Sequence, residues 1–250
     1  MQVFATNLPD LAWQWAYARL GWGIVSAALV LRLWPGAGRV AVEVTAEVTA
    51  EVTAKARNGL KTGVTLAPMP RAAAVLAALA ALAMWLPLGA SPAHWLGLVF
   101  QQPSAMLVAF CALSLLARCT RLRVGSSPGP GSALVLAGFG LLLYADSSGW
   151  LSLGLYLRGA DPLWAPAAAL LAGACAVGAV RFEATRCSAL MLLGAAAVFC
   201  LTRLPSGNVF DAFLDPLLWL ACVGIGLKSG VQRCWRASRS SRSSRSSRAQ

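Results

Sequence analysis

The residues able to do chemistry in this chain are few and lie on one side of its apolar segments. All five aspartates (Asp10, Asp146, Asp161, Asp211, Asp215) fall there, with Arg19, Arg158, Arg203, His94 and Tyr156. Two carboxylates meeting in a low-dielectric, cation-lined cleft split their pKa values and divide the roles of general base and general acid. Asp146 and Asp211 are the catalytic candidates on this reading, Asp146 first. Arg19, Arg158 and Arg203 would bind an anionic group of a substrate, and Tyr156 would contact the same substrate. Asp215 has a different signature: Asp-Pro before an apolar run is a helix start, with Asp as N-cap and Pro216 in the first turn. For Asp211, one turn earlier, the structural rival to chemistry is an ion pair with Arg203 or Arg19.

Other chemistries lack their residues. His94 is the only histidine, and the seven cysteines include no CxxC pair, so neither a metal site nor a Ser-His-Asp triad is expected. No Gly-rich phosphate loop opens a helix, and no cofactor is expected. The cysteines lie within apolar segments or at their basic ends, where inert thiols are the expectation.

The positioning elements are membrane helices. Of the 250 residues 58% are hydrophobic and only 12% charged, and the mean hydropathy is +0.66. Of 21 Lys and Arg, 18 fall in alternate connections and the tail; only Arg19, Arg158 and Arg203 fall on the aspartate side, and all four Glu fall with the basic majority. By the positive-inside rule this is an all-α polytopic bundle of seven crossings, N-terminus outside and C-terminus cytoplasmic. The first ten residues carry no Lys or Arg, so no basic signal-peptide start is expected there. Trp13, Trp15, Trp85, Trp95, Trp150, Trp164 and Trp219 near the outer boundary fit interfacial anchoring.

Within the domain 1–236, residues 35–71 form a cytoplasmic loop with three EVTA units (Glu43–Ala46, Glu47–Ala50, Glu51–Ala54). A four-residue period drifts about 40° per unit against the helix repeat, so the loop is expected to be mobile or marginally helical. The tail 237–250 repeats Arg at every third position and has no large apolar residue to bury. It is expected to stay disordered and to be drawn to anionic lipid heads. Nucleic acid is a minor alternative partner; lipids, protein partners or a second copy are the expected ones.

Three apolar runs, Ala105–Ala117, Ala133–Ala145 and Leu217–Leu227, fall short of the about 20 residues a crossing needs. Each stops at a polar break: Gln101–Ser104, Asp146–Gly149 and Asp211–Pro216. Irregular backbone at membrane depth survives only where protein or water satisfies it. The breaks therefore predict a polar cavity opening outward, the alternative being short crossings with amphipathic pieces lying flat in the interface.

The string from Tyr144 to Pro162 ends an apolar helix with Asp146, adds an aromatic and a Leu-rich stretch, and closes with Gly159. Over those residues it loosely resembles the first outer loop of GT-C-type glycosyltransferases that use polyprenyl-phosphate sugars, although here it follows the fourth apolar run. The resemblance implies a base role for Asp146. The functional expectation is an envelope-biogenesis protein of a bacterial inner membrane that handles a lipid-linked or amphiphilic substrate at the outer face. The alternative is a non-catalytic scaffold or small transporter subunit. The topology is checked by thiol labelling of intact cells: an impermeant maleimide reaches Ser148→Cys, and reaches Cys234 only after permeabilisation.

Overall fold

The computed structural model describes residues 11–34, 71–119, 128–202 and 206–246. Of these, 82% are helical and none is in a strand. The EVTA loop, Asp10 and Arg203 lie outside the described residues. The helices are α1 (Leu11–Leu33), α2 (Arg71–Ala83), α3 (Pro92–Phe100), α4 (Ala105–Cys119), α5 (Pro130–Ser147), α6 (Leu155–Arg158), α7 (Trp164–Ala179), α8 (Glu183–Thr202), α9 (Val209–Phe213) and α10 (Pro216–Ser246). The stretches Ala12–Leu33, Pro130–Ser147 and Thr185–Thr202 are long and apolar enough to cross a membrane, as expected of a membrane protein; α2, α4 and α7 are shorter apolar helices.

The breaks anticipated from sequence are real interruptions. Chain leaves α3 at Gln101, whose φ of 60° is the one positive value at a non-glycine among the described residues, and re-enters a helix at Ala105. A second interruption separates α5 from α6, and a third separates α9 from α10. Two boundaries differ from the sequence expectation. The apolar run expected at about Ala189–Leu201 lies within α8, which already begins at Glu183, so only the turn Val180–Phe182 links it to α7. Helix α10 continues to Ser246, through residues expected to lack structure. Extending an existing helix adds a hydrogen bond per residue without a new nucleation cost, and Arg is a good helix former.

The chain divides into two compact units. The first contains α1–α3 and α4 from Val108 onward. Its core is made of Ala27 and Leu31 against Ala73 and Ala77, with Trp34 and Leu115 alongside. The small side chains let α1 and α2 approach closely. Trp22 is buried, its ring 6.3 Å from that of Phe100, and its indole N–H donates to the carbonyl of Gln101 at 3.3 Å. The Tyr17 hydroxyl donates to the carbonyl of Pro103 at 2.8 Å, so the interrupted backbone is tied to α1 twice. At the opposite end of α1 an Arg118 guanidinium nitrogen donates to the carbonyl of Leu31 at 3.0 Å, satisfying one of the carbonyls a helix end leaves bare.

The second unit contains Ser104–Leu107 and α5–α10. Helix α7 packs on α8, α5 on α10, and α9 on both α7 and α8. Buried alanines again form the contacts: Ala165, Ala169 and Ala176 on α7, and Ala189, Ala195 and Ala196 on α8. Large apolar residues such as Val135, Leu141, Leu170 and Leu171 are exposed instead. Small inside and large outside is the arrangement expected where acyl chains cover the outer faces. The Ser188 hydroxyl donates to that of Ser132 at 3.0 Å, a polar link between α8 and α5.

Gly140 sets how closely α5 and α10 meet. A Cβ there would collide with Trp219 and come within 2.6 Å of Leu214. Trp219 cannot easily yield, because its indole N–H donates to the carbonyl of Ala137 at 2.9 Å. Gly138, two positions earlier, faces open space. Gly140→Ala is expected to lower stability by about 1–3 kcal/mol through overpacking, whereas Gly138→Ala raises it by about 0.5–1 kcal/mol through helix propensity. Thermal unfolding of the two variants in detergent distinguishes the signs.

Candidate functional site

Ser104 and the polar groups of the two later interruptions come together within the second unit. The end of α5 fixes the first of them. Gly149, at φ 81°, ends the helix with its N–H on the carbonyl of Asp146 at 3.2 Å, while Trp150 and Leu151 donate back to the carbonyl of Ala145. A carboxylate in the last turn of a helix meets the negative end of the helix dipole, so Asp146 needs donors from elsewhere. It finds three. Its Oδ1 accepts from the backbone N–H of Leu153 and of Gly154, both at 2.9 Å, and its Oδ2 accepts from that of Tyr156 at 3.0 Å. Asp146 thereby closes the loop 147–155 and caps α6, with Gly154 at φ 63° turning the chain into that short helix.

That loop sets the position of Tyr156. The carbonyl of Tyr156 accepts from Asn208 Nδ2 at 2.9 Å, and Asn208 Oδ1 accepts from the N–H of Phe210 at 3.0 Å, capping α9. The N–H of Val209 donates to the carbonyl of Gly159 at 2.9 Å. A side chain at Gly159 would collide with Asn208 and Phe210, so the two connections touch through a bare glycine. Held this way, the Tyr156 hydroxyl donates to Asp211 Oδ1 at 3.0 Å. The second oxygen of Asp211, Oδ2, is enclosed and has no hydrogen-bond partner. Burial pushes the Asp211 carboxyl above the usual carboxylate range, with a further push from Asp215; the hydroxyls of Ser206 and Tyr156 pull the other way. Burial pushes the Tyr156 phenol up to about 12.

Asp215, one turn beyond Asp211, is buried and uses both oxygens. Oδ1 accepts from the N–H of Leu218 at 2.7 Å, the N-cap bond its Asp-Pro setting predicts. Oδ2 accepts from the N–H of Ser104 at 2.6 Å. The Ser104 hydroxyl in turn accepts from the N–H of Leu107 at 3.1 Å and caps α4. One carboxylate therefore secures the starts of two helices. Tyr144 stands within electrostatic reach of both Asp211 and Asp215, its ring edge-on to Trp219 at 5.3 Å.

The structure joins Tyr156 directly to Asp211, and Asp146 to both through the backbone of Tyr156. Arg158 is exposed and lies over the ring of Trp164 at 5.5 Å. In the other unit Arg19 lies between the rings of Trp15 and Trp85, at 5.6 and 5.9 Å. Such stacking on aromatic faces is an ordinary way to hold a guanidinium near an interface. Arg203 lies outside the described residues. His94 is half-buried with its ring against Trp95 at 5.7 Å. Sequence reasoning missed Ser104, Asn208 and Tyr144 as members of this cluster. Asn208 directly before an apolar turn is a legible cap signal, but nothing local marks Tyr144. Among the described residues no group of three His, Cys, Asp or Glu could hold a metal ion.

Asp215→Ala leaves the buried N–H groups of Ser104 and Leu218 without acceptors, each at a cost of roughly 1–3 kcal/mol. Asp211→Ala loses only a bond from a half-buried phenol. Thermal unfolding in detergent is expected to show the larger loss for Asp215→Ala, with partial recovery in Asp215→Asn. Equal losses would contradict the double cap. Comparison with protein-family models, curated proteins and solved structures returns no match to this chain.

Proposed function

We propose that this chain is a multi-pass membrane protein of seven crossings, N-terminus outside, whose outward polar cluster binds without catalysing. In this reading it is a small transporter subunit or scaffold. Asp146 carries the proposal: an acid or base acting on a substrate needs an oxygen directed at that substrate, and both oxygens of Asp146 are engaged by backbone N–H groups of its own loop. Its role is to hold Tyr156 in place. Arg19 and Arg158 lie against tryptophan rings, which also favours a structural use of these charges. Interrupted helices with a carboxylate at the interruption are an arrangement that binding proteins of the membrane use for small polar ligands and ions.

The orientation proposed rests on the distribution of Lys and Arg, and the bacterial inner membrane on the Ala-rich composition. The basic end of α10 would face the cytoplasm, where anionic lipid heads attract Arg at about 1 kcal/mol per residue near the surface.

A second reading has one observation in its favour. Asp211, with an oxygen unpartnered and a phenol on the other, retains the means to act as a base on an amphiphilic or lipid-linked substrate at the outer face. Envelope biogenesis would be its setting. The readings part in a variant experiment with membrane abundance held constant. On the proposed reading Asp146→Asn and Asp211→Asn both leave the lipid-linked glycan profile unchanged. A changed profile for Asp211→Asn restores the enzyme, and a changed profile for Asp146→Asn removes the premise about its oxygens.

A further inference from the structure

The hydrogen bonds around Asp211 and Asp215 differ in a way that assigns their charges. Both oxygens of Asp215 accept backbone N–H groups at 2.6 and 2.7 Å, and accepting with both is what an ionised carboxylate does. Asp211 accepts from a neutral phenol on Oδ1 and has the neutral Ser206 hydroxyl nearby, while its Oδ2 is shut away from solvent and makes no hydrogen bond of good geometry. A charge on that oxygen would be desolvated and uncompensated. A neutral carboxyl there costs far less.

Among the described residues, none of the groups that act on Asp211 carries a positive charge. The groups that act on Asp211 are Tyr156, Asp215 and the hydroxyl of Ser206, and Tyr144 stands in reach. Of the helices against α9, Trp164–Ala179 has no charged residue, and Glu183–Thr202 has its only ones, Glu183 and Arg186, in its opening turn. The neighbouring carboxyl of Asp215 is the group whose charge an ionised Asp211 would have to repel. Two carboxylates in unlike settings share charge unequally: one ionises and the other keeps its proton.

We propose that Asp211 is the proton-carrying residue of this protein: in the folded state it holds a proton on Oδ2 and accepts the Tyr156 hydroxyl on Oδ1, while Asp215 remains ionised. The step is simple in its balance. A hydronium ion on the outer side breaks one of its O–H bonds and becomes water, a new O–H bond forms at Oδ2, and the carboxylate goes from −1 to neutral. Resting on the transporter reading above, this names the coupling ion as H+ and places its site beside the Asp146 loop. Opening that loop would free Tyr156 from Asp211, expose the carboxyl to water and release the proton. Asp146 and Asn208 are positioning residues in this device, because each acts through the backbone of Tyr156.

Infrared difference spectroscopy of the purified full chain in nanodiscs tests the proposal, and it does so without any transport assay or assumed orientation. At neutral pH a carboxylic C=O stretch, apart from the amide bands and moved by deuterium exchange, is expected in the unaltered protein. It should vanish in Asp211→Asn and persist in Asp146→Asn. In Tyr156→Phe the same band should remain but move to higher frequency, because the C=O loses its hydrogen bond; a merely structural Tyr156 would not move it. Asp211→Glu, which keeps a titratable carboxyl, should keep the band and covers the case in which Asp211→Asn unfolds. Absence of the band overturns the proposal, as does a band removed by Asp215→Asn and kept in Asp211→Asn. A band that appears only in Arg203→Gln also overturns it, by revealing an ion pair in place of a proton. A transporter reading that fails while the band behaves as expected leaves Asp211 as a proton site of another kind of membrane protein.

Discussion

The fold depends on how it satisfies backbone N–H groups where apolar helices are interrupted. A continuous membrane helix needs no help, since every interior amide finds a carbonyl four residues back. An interrupted one exposes its first N–H groups where water is scarce, and each unsatisfied group is costly. Here the acceptors are side chains placed beside the interruptions. Asp215 takes the N–H groups of Ser104 and Leu218, Ser104 takes that of Leu107, Asn208 takes that of Phe210, and Asp146 takes three from its own loop. The polar residues of this chain serve its helix ends before they serve anything else.

That use decides which groups are left over. Asp146 and Asp215 each spend both oxygens on backbone donors, whereas Asp211 spends one on the Tyr156 phenol and keeps the other enclosed. Asp146 and Asn208 hold Tyr156 from its N–H and its carbonyl respectively, so the phenol reaches Asp211 through two independent anchors. The glycine at 159 completes the arrangement by letting the chain of α9 come close enough for Val209 to donate to its carbonyl.

Helix packing follows the same economy of polar groups. Alanines form many of the buried contacts in both units, beside a few larger residues such as Leu31, Phe110, Leu143 and Phe199, while many other large apolar side chains are exposed. The buried Trp22 and the half-buried Trp219 each direct the indole N–H to a backbone carbonyl, those of Gln101 and Ala137. An indole is accepted where it also satisfies an acceptor that the helix geometry leaves available.

Much of this was legible in the sequence because it is local. The interruptions fall at Gln101–Ser104, after Asp146 and before Pro216, where polar residues cut apolar runs. Asp215 as a helix cap followed from the proline beside it. The start of α8 at Glu183 did not, because its first turn is polar and carries no apolar period. What the amino-acid order determined was therefore the set of helices, their composition for a lipid environment and the positions of their breaks, all consequences of neighbours a few residues apart. Which carboxylate would be left with an oxygen to spare was decided only by tertiary structure. The donors that occupy Asp146 come from seven to ten residues further on, the second donor to Asp215 is 111 residues away at Ser104, and the phenol on Asp211 is 55 residues away at Tyr156. No local pattern encodes those pairings, since each depends on where a folded chain returns to itself.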